Sequence, residues 1–259
     1  MTAMAGRRIL ITGASSGIGA ACARRFAAEG CDLVLWARRA ERLARLADEI
    51  ETAHGRHVHI AGVDVRDRAA VLKAVDSLVE AEAVPDVLVN NAGLASGLSG
   101  IQDGSFDDWD RMIDTNLKGL LNVTRAVLPH MIRLGRGHII NIGSTAGHWV
   151  YPSGNVYNAT KFGVRALTEA INVDVVGTPV RVSSIDPGMV ETEFSVVRFA
   201  GDEERARKVY QGFQPLRPED IADAVHYVTS APPHVNVLNM VVLPTAQRNV
   251  YVLHREAQE

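Results

Sequence analysis

Cysteine is almost missing from this 259-residue chain; Cys22 and Cys31 are its only two. Two thiols so placed make neither a disulfide framework nor a zinc site. They are expected to stay reduced in a cytoplasmic protein. No apolar run approaches the roughly 20 residues of a membrane-spanning helix. The stretch from Met1 to Arg8 has no apolar signal region and leads straight into a strand-like segment. A basic excess is missing too: the formal net charge is −3, which gives no reason to expect a nucleic-acid partner. His54, His57 and His59 stand close together, but no cysteine or carboxylate completes a set, so surface histidines are expected and no metal. Repeats, low-complexity tracts and linkers are absent; Gly97-Leu98-Ser99-Gly100 reads as a loop.

What is present is a chain that is 47% hydrophobic, enough for a substantial core, and long enough for one large α/β domain over 1–259. Strand-like segments fall at 8–12, 32–37, 57–63, 86–90, 137–143, 180–186 and 237–243. Helix-like segments fall at 17–29, 40–53, 67–82, 106–134, 154–176, 192–211 and 218–230. This alternation implies a doubly wound α/β fold, a seven-stranded parallel sheet flanked by helices. Right-handed crossovers then give a 3-2-1-4-5 core order with two further strands.

The first strand-to-helix junction carries Thr12-Gly13-Ala14-Ser15-Ser16-Gly17-Ile18-Gly19. Strand, glycine turn and helix together form a nucleotide-binding unit of the Rossmann type. Gly13 permits the tight turn. Gly17 and Gly19 let the backbone and helix approach a pyrophosphate, and the N–H groups of Ser16, Ile18 and their neighbours at the helix start attract its charge.

Tyr157-Asn158-Ala159-Thr160-Lys161 opens a later helical pattern. On a helix, Tyr157 and Lys161 share a face one turn apart. A phenol ordinarily ionises near pH ~10. A cation held close favours the phenolate and lowers that value. Tyr157 can then give a proton to a carbonyl oxygen or take one from an alcohol. Ser144 ends the apolar run His138-Ile139-Ile140-Asn141-Ile142-Gly143, at the strand end where open parallel sheets bind ligands. Its hydroxyl either holds a substrate oxygen or begins the turn to Ala146-Gly147. Asn116 interrupts a helical pattern that asparagine disfavours, a cost that invites a functional explanation.

Thr12–Gly19, Asn90-Asn91-Ala92-Gly93, Asn116, Ser144, Tyr157-x-x-x-Lys161 and Asp186-Pro187-Gly188 resemble, in that order, the motifs of short-chain dehydrogenases/reductases. The likeness covers nearly the whole chain. Met112–Asn116, Gly154–Tyr157, Thr192–Phe199 and His234-Val235-Asn236 resemble a narrower group in that family, the NADP-dependent 3-hydroxy acid dehydrogenases, including serine/allo-threonine dehydrogenase-like enzymes. The resemblance implies reversible hydride transfer with a nicotinamide. Tyr157 would be the acid/base, Lys161 would tune it and bond the ribose, and Ser144 would polarise the substrate oxygen. Asn116 would hold a helix irregularity and a relay to Lys161. Asp64 would bond the adenine amine and Val65 pack on its ring. Asn90, Ala92 and Gly93 would line the ribose side, while Asn91 either joins them or stabilises the neighbouring sheet. Pro187, Gly188 and Val190 would flank the nicotinamide; Thr192 would bond its carboxamide, cap a helix, or do both. A homotetramer is also implied.

The second strand bears on the choice of cofactor. An NAD enzyme usually ends this strand in an acidic residue that bonds the ribose hydroxyls. Here Ala37 takes that place and Arg38-Arg39 follow. A guanidinium there can bind a 2′-phosphate, which favours NADP. Arg38 is expected as the main contact and Arg39 as a second or a solvated residue; Ser15 either reaches the phosphate or fills the turn. Segment 189–213 can form a lid, with Arg198 either anchoring a substrate carboxylate or pairing with Glu193 or Asp202. Three readings stay open: a dehydrogenase of small 3-hydroxy acids, a general carbonyl reductase, and an NADP-binding sensor without turnover.

Overall fold

The computed structural model describes residues 4–256; residues 1–3 and 257–259 of the expected domain lie outside them. Among the described residues, seven strands form one parallel sheet. They are β1 (Arg8–Thr12), β2 (Asp32–Ala37), β3 (Val58–Gly62), β4 (Val87–Asn90), β5 (Gly137–Ile142), β6 (Val180–Pro187) and β7 (Asn239–Val242). Their order is β3-β2-β1-β4-β5-β6-β7, the expected core order with β6 and β7 added beyond β5. Successive strands step one way from β1 and then the other from β4. Their loops part between these two strands and leave a crevice at the C-terminal edge.

Strand side chains alternate between two apolar layers. Ile9 and Ile11 of β1 enter one layer with Leu33, Leu35, Val87 and Val89. Leu10 enters the other with Val34, Trp36 and Leu88. Both faces being buried explains why these strands read as continuous apolar runs. The first layer is covered by α1 (Gly17–Ala28), α2 (Ala40–His54) and, near the chain's end, Pro218–Ser230. The second is covered by α3 (Arg68–Glu80) and by the helices that precede and follow β5.

Two expected helices are broken. The span 106–134 forms α4 (Phe106–Ile113), a π-helical turn (Asp114–Gly119) and α5 (Leu120–Arg133). The turn places Asn116 inward, where its side chain accepts from Leu94 N and donates to Leu94 O and Thr160 Oγ1. A 3.6-residue pattern read along the chain does not reveal this extra residue. After α6 (Asn155–Asp174), the span 192–211 forms two short helices, α7 (Phe194–Arg198) and α8 (Glu203–Lys208). Ala200 and Gly201 have positive φ between them, and Asp202 caps α8 by accepting from Arg205 N at 2.9 Å. A left-handed pair followed by an Asp cap stops one helix and starts another. Helix α9 (Pro218–Ser230) begins with Pro at its first position, which needs no N–H there.

Leu10 is fully buried at the centre of the sheet. Leu10→Ala is expected to lower unfolding free energy by about 2–5 kcal/mol. Urea denaturation with an unchanged m-value checks this; a loss below ~1 kcal/mol would contradict a rigidly packed second layer.

Candidate active site

The glycine turn lies over the β1–β4 crevice. Gly13 has φ +65°, and a Cβ there would stand 2.9 Å from Ala92 Cα. Only a residue without a side chain allows that approach. Thr12 Oγ1 accepts from the backbone N–H groups of Asn91 and Ala92, both at 3.0 Å. Asn91 Nδ2 donates back to Thr12 O and Gly13 O at 3.0 and 3.2 Å. Gly19 lies beneath, where a Cβ would come 2.6 Å from Asn91 Nδ2. Gly19 therefore shapes the turn and does not line the cleft. Ser16 precedes α1 in an extended conformation and makes no side-chain cap.

Asn90 departs from its expected place. Its side chain is buried under the sheet edge and donates to Thr124 Oγ1 and Asn141 Oδ1 at 2.9 and 3.0 Å. Strand alternation turns it inward, and its neighbour Asn91 reaches the cleft instead.

The cleft has a volume of about 540 Å³, within the usual range for a small-molecule site. Gly13, Ser15, Ser16, Gly17, Ile18, Arg38, Arg39, Asp64 and Val65 line one end. Arg39, not Arg38, grips the turn: its Nη2 donates to Ser16 Oγ at 2.7 Å and Ser15 Oγ at 3.2 Å. Arg39 also pairs with Glu193 at 3.0 Å. Asp64 is engaged by Arg66 at 2.6 Å, a bond that holds its carboxyl below the usual range. Hydroxyls, a guanidinium and the open start of α1 form a donor set suited to phosphate groups.

The other end holds Ser144, Tyr157, Lys161, Pro187, Gly188, Val190 and Thr192, with Ala92 and Gly93 between the two ends. Ser144 is extended at the end of β5, and its Oγ accepts from Ala146 N at 3.1 Å. The turn-forming reading of Ser144 therefore holds, and the same hydroxyl also favours the charged form of Tyr157. Tyr157 and Lys161 are both buried on α6, as their spacing implies. Lys161 Nζ lies 5.9 Å from the centre of the phenol ring and donates to Ile142 O at 2.9 Å.

The electrostatics reverse one expectation. Burial, and then the neighbouring Tyr151, push the Tyr157 phenol well above its ordinary pKa; Ser144 and Arg198 pull the other way more weakly. Burial also pushes Lys161 down to about 8, opposed by the buried Asp186 carboxylate. At this distance the ammonium does not dominate, because the dry surroundings penalise both charged forms.

Asn116 Oδ1 and Lys161 Nζ both flank Gly93, at 3.3 and 3.8 Å from where a Cβ would stand. Thr192 stands one residue before the N-cap position of α7, which Glu193 takes, and accepts from Phe194 N at 3.1 Å. Its methyl group lies 3.3 Å from the point a Gly17 Cβ would occupy. Arg198 pairs with neither Glu193 nor Asp202 among the described interactions. Its Nη2 donates to Tyr151 OH at 2.8 Å, and its guanidinium lies 5.6 Å from the Tyr157 ring centre.

Several participants escape sequence reasoning. Tyr151 reaches the cleft from a loop whose pattern carries no sign of it, and Glu193, weighed only as a partner of Arg198, lines the cleft as well. Gln247 is buried beside Gly188 and accepts from Met189 N at 3.0 Å. His148 Nε2 bonds Asp186 Oδ2 at 2.5 Å, and Ser184 and Asn239 bond the same carboxylate. Of this set, only the motif at Asp186 gave a signal in the chain.

A glycine turn whose donors suit phosphate groups, facing a buried serine–tyrosine–lysine group, fits a nucleotide-dependent oxidoreductase. Residues 7–203 match the short chain dehydrogenase family model. The chain is 50% identical over 240 residues to the NADP-dependent 3-hydroxy acid dehydrogenase YdfG of Salmonella typhi, covering 92% of this chain and 95% of that protein. It is 48% identical to sulfoacetaldehyde reductase 2 of Chromohalobacter salexigens, covering 92% and 94%. Among solved structures it is similar to a closed form of serine dehydrogenase complexed with NADP+, with TM-score 0.90 and 47% identity over 96% of this chain and 100% of that one. The chain belongs to the short-chain dehydrogenase family.

The depressed Lys161 has a signature in stability. Between about pH 8 and its unfolded value near ~10.5, the unfolded state binds more protons, so stability rises with pH. Wild type should therefore gain stability relative to Lys161→Met across that window. Urea midpoints at pH 7.5 and 10 check the sign; a constant difference would show that Lys161 titrates normally.

Proposed function

We propose that this protein is an NADP(H)-dependent dehydrogenase of small 3-hydroxy acids. The observation that carries this reading is the position of Arg198, over the Tyr157 ring and bonded to Tyr151. A substrate carboxylate on that guanidinium leaves its hydroxyl or carbonyl carbon near Ser144 and Tyr157. The relatives named for 3-hydroxy acids, serine and sulfoacetaldehyde support it. Each of those compounds carries an acidic group close to the reacting carbon.

NADP supplies the hydride chemistry when bound. Arg39, Ser15 and Ser16 fit its 2′-phosphate, with Arg38 beside them. Gly13, Gly17 and Ile18 leave room for the pyrophosphate, with Gly19 holding the turn from below. Asp64 and Val65 would hold the adenine, and Ala92 and Gly93 the ribose. Pro187, Gly188, Val190 and Thr192 would flank the nicotinamide. Ser144 orients the substrate oxygen and Tyr157 moves the proton. Burial keeps the phenol protonated, the form needed to reduce a carbonyl. Lys161 would reach the ribose from beside the phenol, while Asn116 keeps the π-turn and its neighbours in place. Residues 189–213 act as the lid.

The protein works in the cytoplasm as a homotetramer. Two buried free thiols and the absence of any described helix long and apolar enough to cross a membrane agree with the location. Exposed Leu121, Phe162 and Val173 along α5 and α6 offer apolar surface for subunit contact.

Tyr157→Phe is expected to lower turnover by about 10²–10⁴ while NADPH fluorescence titration shows intact binding. Near-normal turnover would remove Tyr157 from the chemistry. Arg198→Ala is expected to lower kcat/KM for 3-hydroxy acids about 10- to 100-fold, the usual value of a charge-assisted contact. Neutral ketones should change little. Equal losses on both substrate classes would favour a general carbonyl reductase.

A further inference from the structure

Glu193 joins the lid to the glycine turn. Its Oε2 accepts from Arg39 Nη1 at 3.0 Å and its Oε1 from Arg42 Nη1 at 2.7 Å. Arg42 and Arg39 hold its carboxyl below the ordinary range, so it is charged at neutral pH. Arg39 simultaneously holds Ser15 and Ser16. A carboxylate thus stands against the same guanidinium and hydroxyls that suit a 2′-phosphate. It lies one residue from Phe194, whose ring packs 5.6 Å from that of Tyr157. Arg198 sits at the other end of the same short helix.

Resting on the NADP reading of this cleft, we infer that Glu193 is a placeholder for the 2′-phosphate. The two anions compete for Arg39, and their exchange releases the start of α7. The ion pairs are substantially exposed, with side-chain exposures of 39% and 37% for the arginines and 45% for Glu193. Exposed pairs are weak. A phosphate monoester brings nearly two charges and three acceptor oxygens, so the exchange runs in its favour. A cofactor with a free 2′-hydroxyl brings no charge to trade and leaves Glu193 tied. The placeholder therefore lets the cofactor's phosphate, and not its nicotinamide, reset the segment that carries Phe194 and Arg198 toward Tyr157.

Calorimetric titration of wild type and Glu193→Gln with 2′,5′-ADP and with 5′-AMP at low ionic strength tests this. Glu193→Gln should bind 2′,5′-ADP about 2- to 5-fold more tightly and 5′-AMP unchanged. Hydrogen exchange over residues 189–201 of wild type should rise with 2′,5′-ADP and not with 5′-AMP. Unchanged or weaker 2′,5′-ADP binding by the variant would overturn the inference and make Glu193 a support for the arginines. Exchange that does not rise with 2′,5′-ADP would overturn the release of α7. If wild type did not prefer 2′,5′-ADP to 5′-AMP, the phosphate reading of Arg39 would itself fail.

Discussion

The contact between the ends of β1 and β4, made possible by the bare Cα of Gly13, organises this molecule. Gly13 lies against Ala92, and Thr12 and Asn91 lock that closeness with reciprocal hydrogen bonds. The loops from the two sides of the sheet part there. The start of α1 then opens toward the cleft from one side, while β5 and α6 bring Ser144, Tyr157 and Lys161 from the other. A side chain at Gly13 would push the two halves apart and widen the space in which a dinucleotide must meet the phenol.

Dryness governs the reactive end. The same burial raises Tyr157 and lowers Lys161, so both groups are held toward their neutral forms. Asp186 opposes this for the lysine, while Ser144 and Arg198 oppose it for the phenol. The resting cleft is thus biased toward a protonated phenol, and the neighbours limit how far. This balance differs from a simple ion-assisted phenolate, because low dielectric weighs on the ammonium as well as on the phenol.

Much of this was legible in the chain. Two-sided burial makes β1, β2 and β4 apolar runs, and the glycine turn and the Tyr157–Lys161 spacing follow from strand and helix periods. What the chain does not reveal shares a cause: contacts made at long range. Arg39 is tied into the glycine turn because Ser15, Ser16 and Glu193 meet it in space. Asn90 turns inward because Thr124 and Asn141 await it there. Tyr151 and Gln247 come from segments with no periodic pattern. The division of 192–211 was readable in principle, since Gly201-Asp202 is a stop followed by a cap. The π-turn was not, because the apolar faces on both sides of it still look helical.

That π-turn makes the connection between β4 and β5 quantised in length. The additional residue in Asp114–Gly119 offsets the faces of α4 and α5. Val123, Val127 and Met131 consequently meet the sheet while Met112 meets the cluster around Tyr157. Losing one residue there would restore an ordinary helix and rotate one face about 100° against the other. Related chains can therefore drift in sequence through this region far more readily than in residue number.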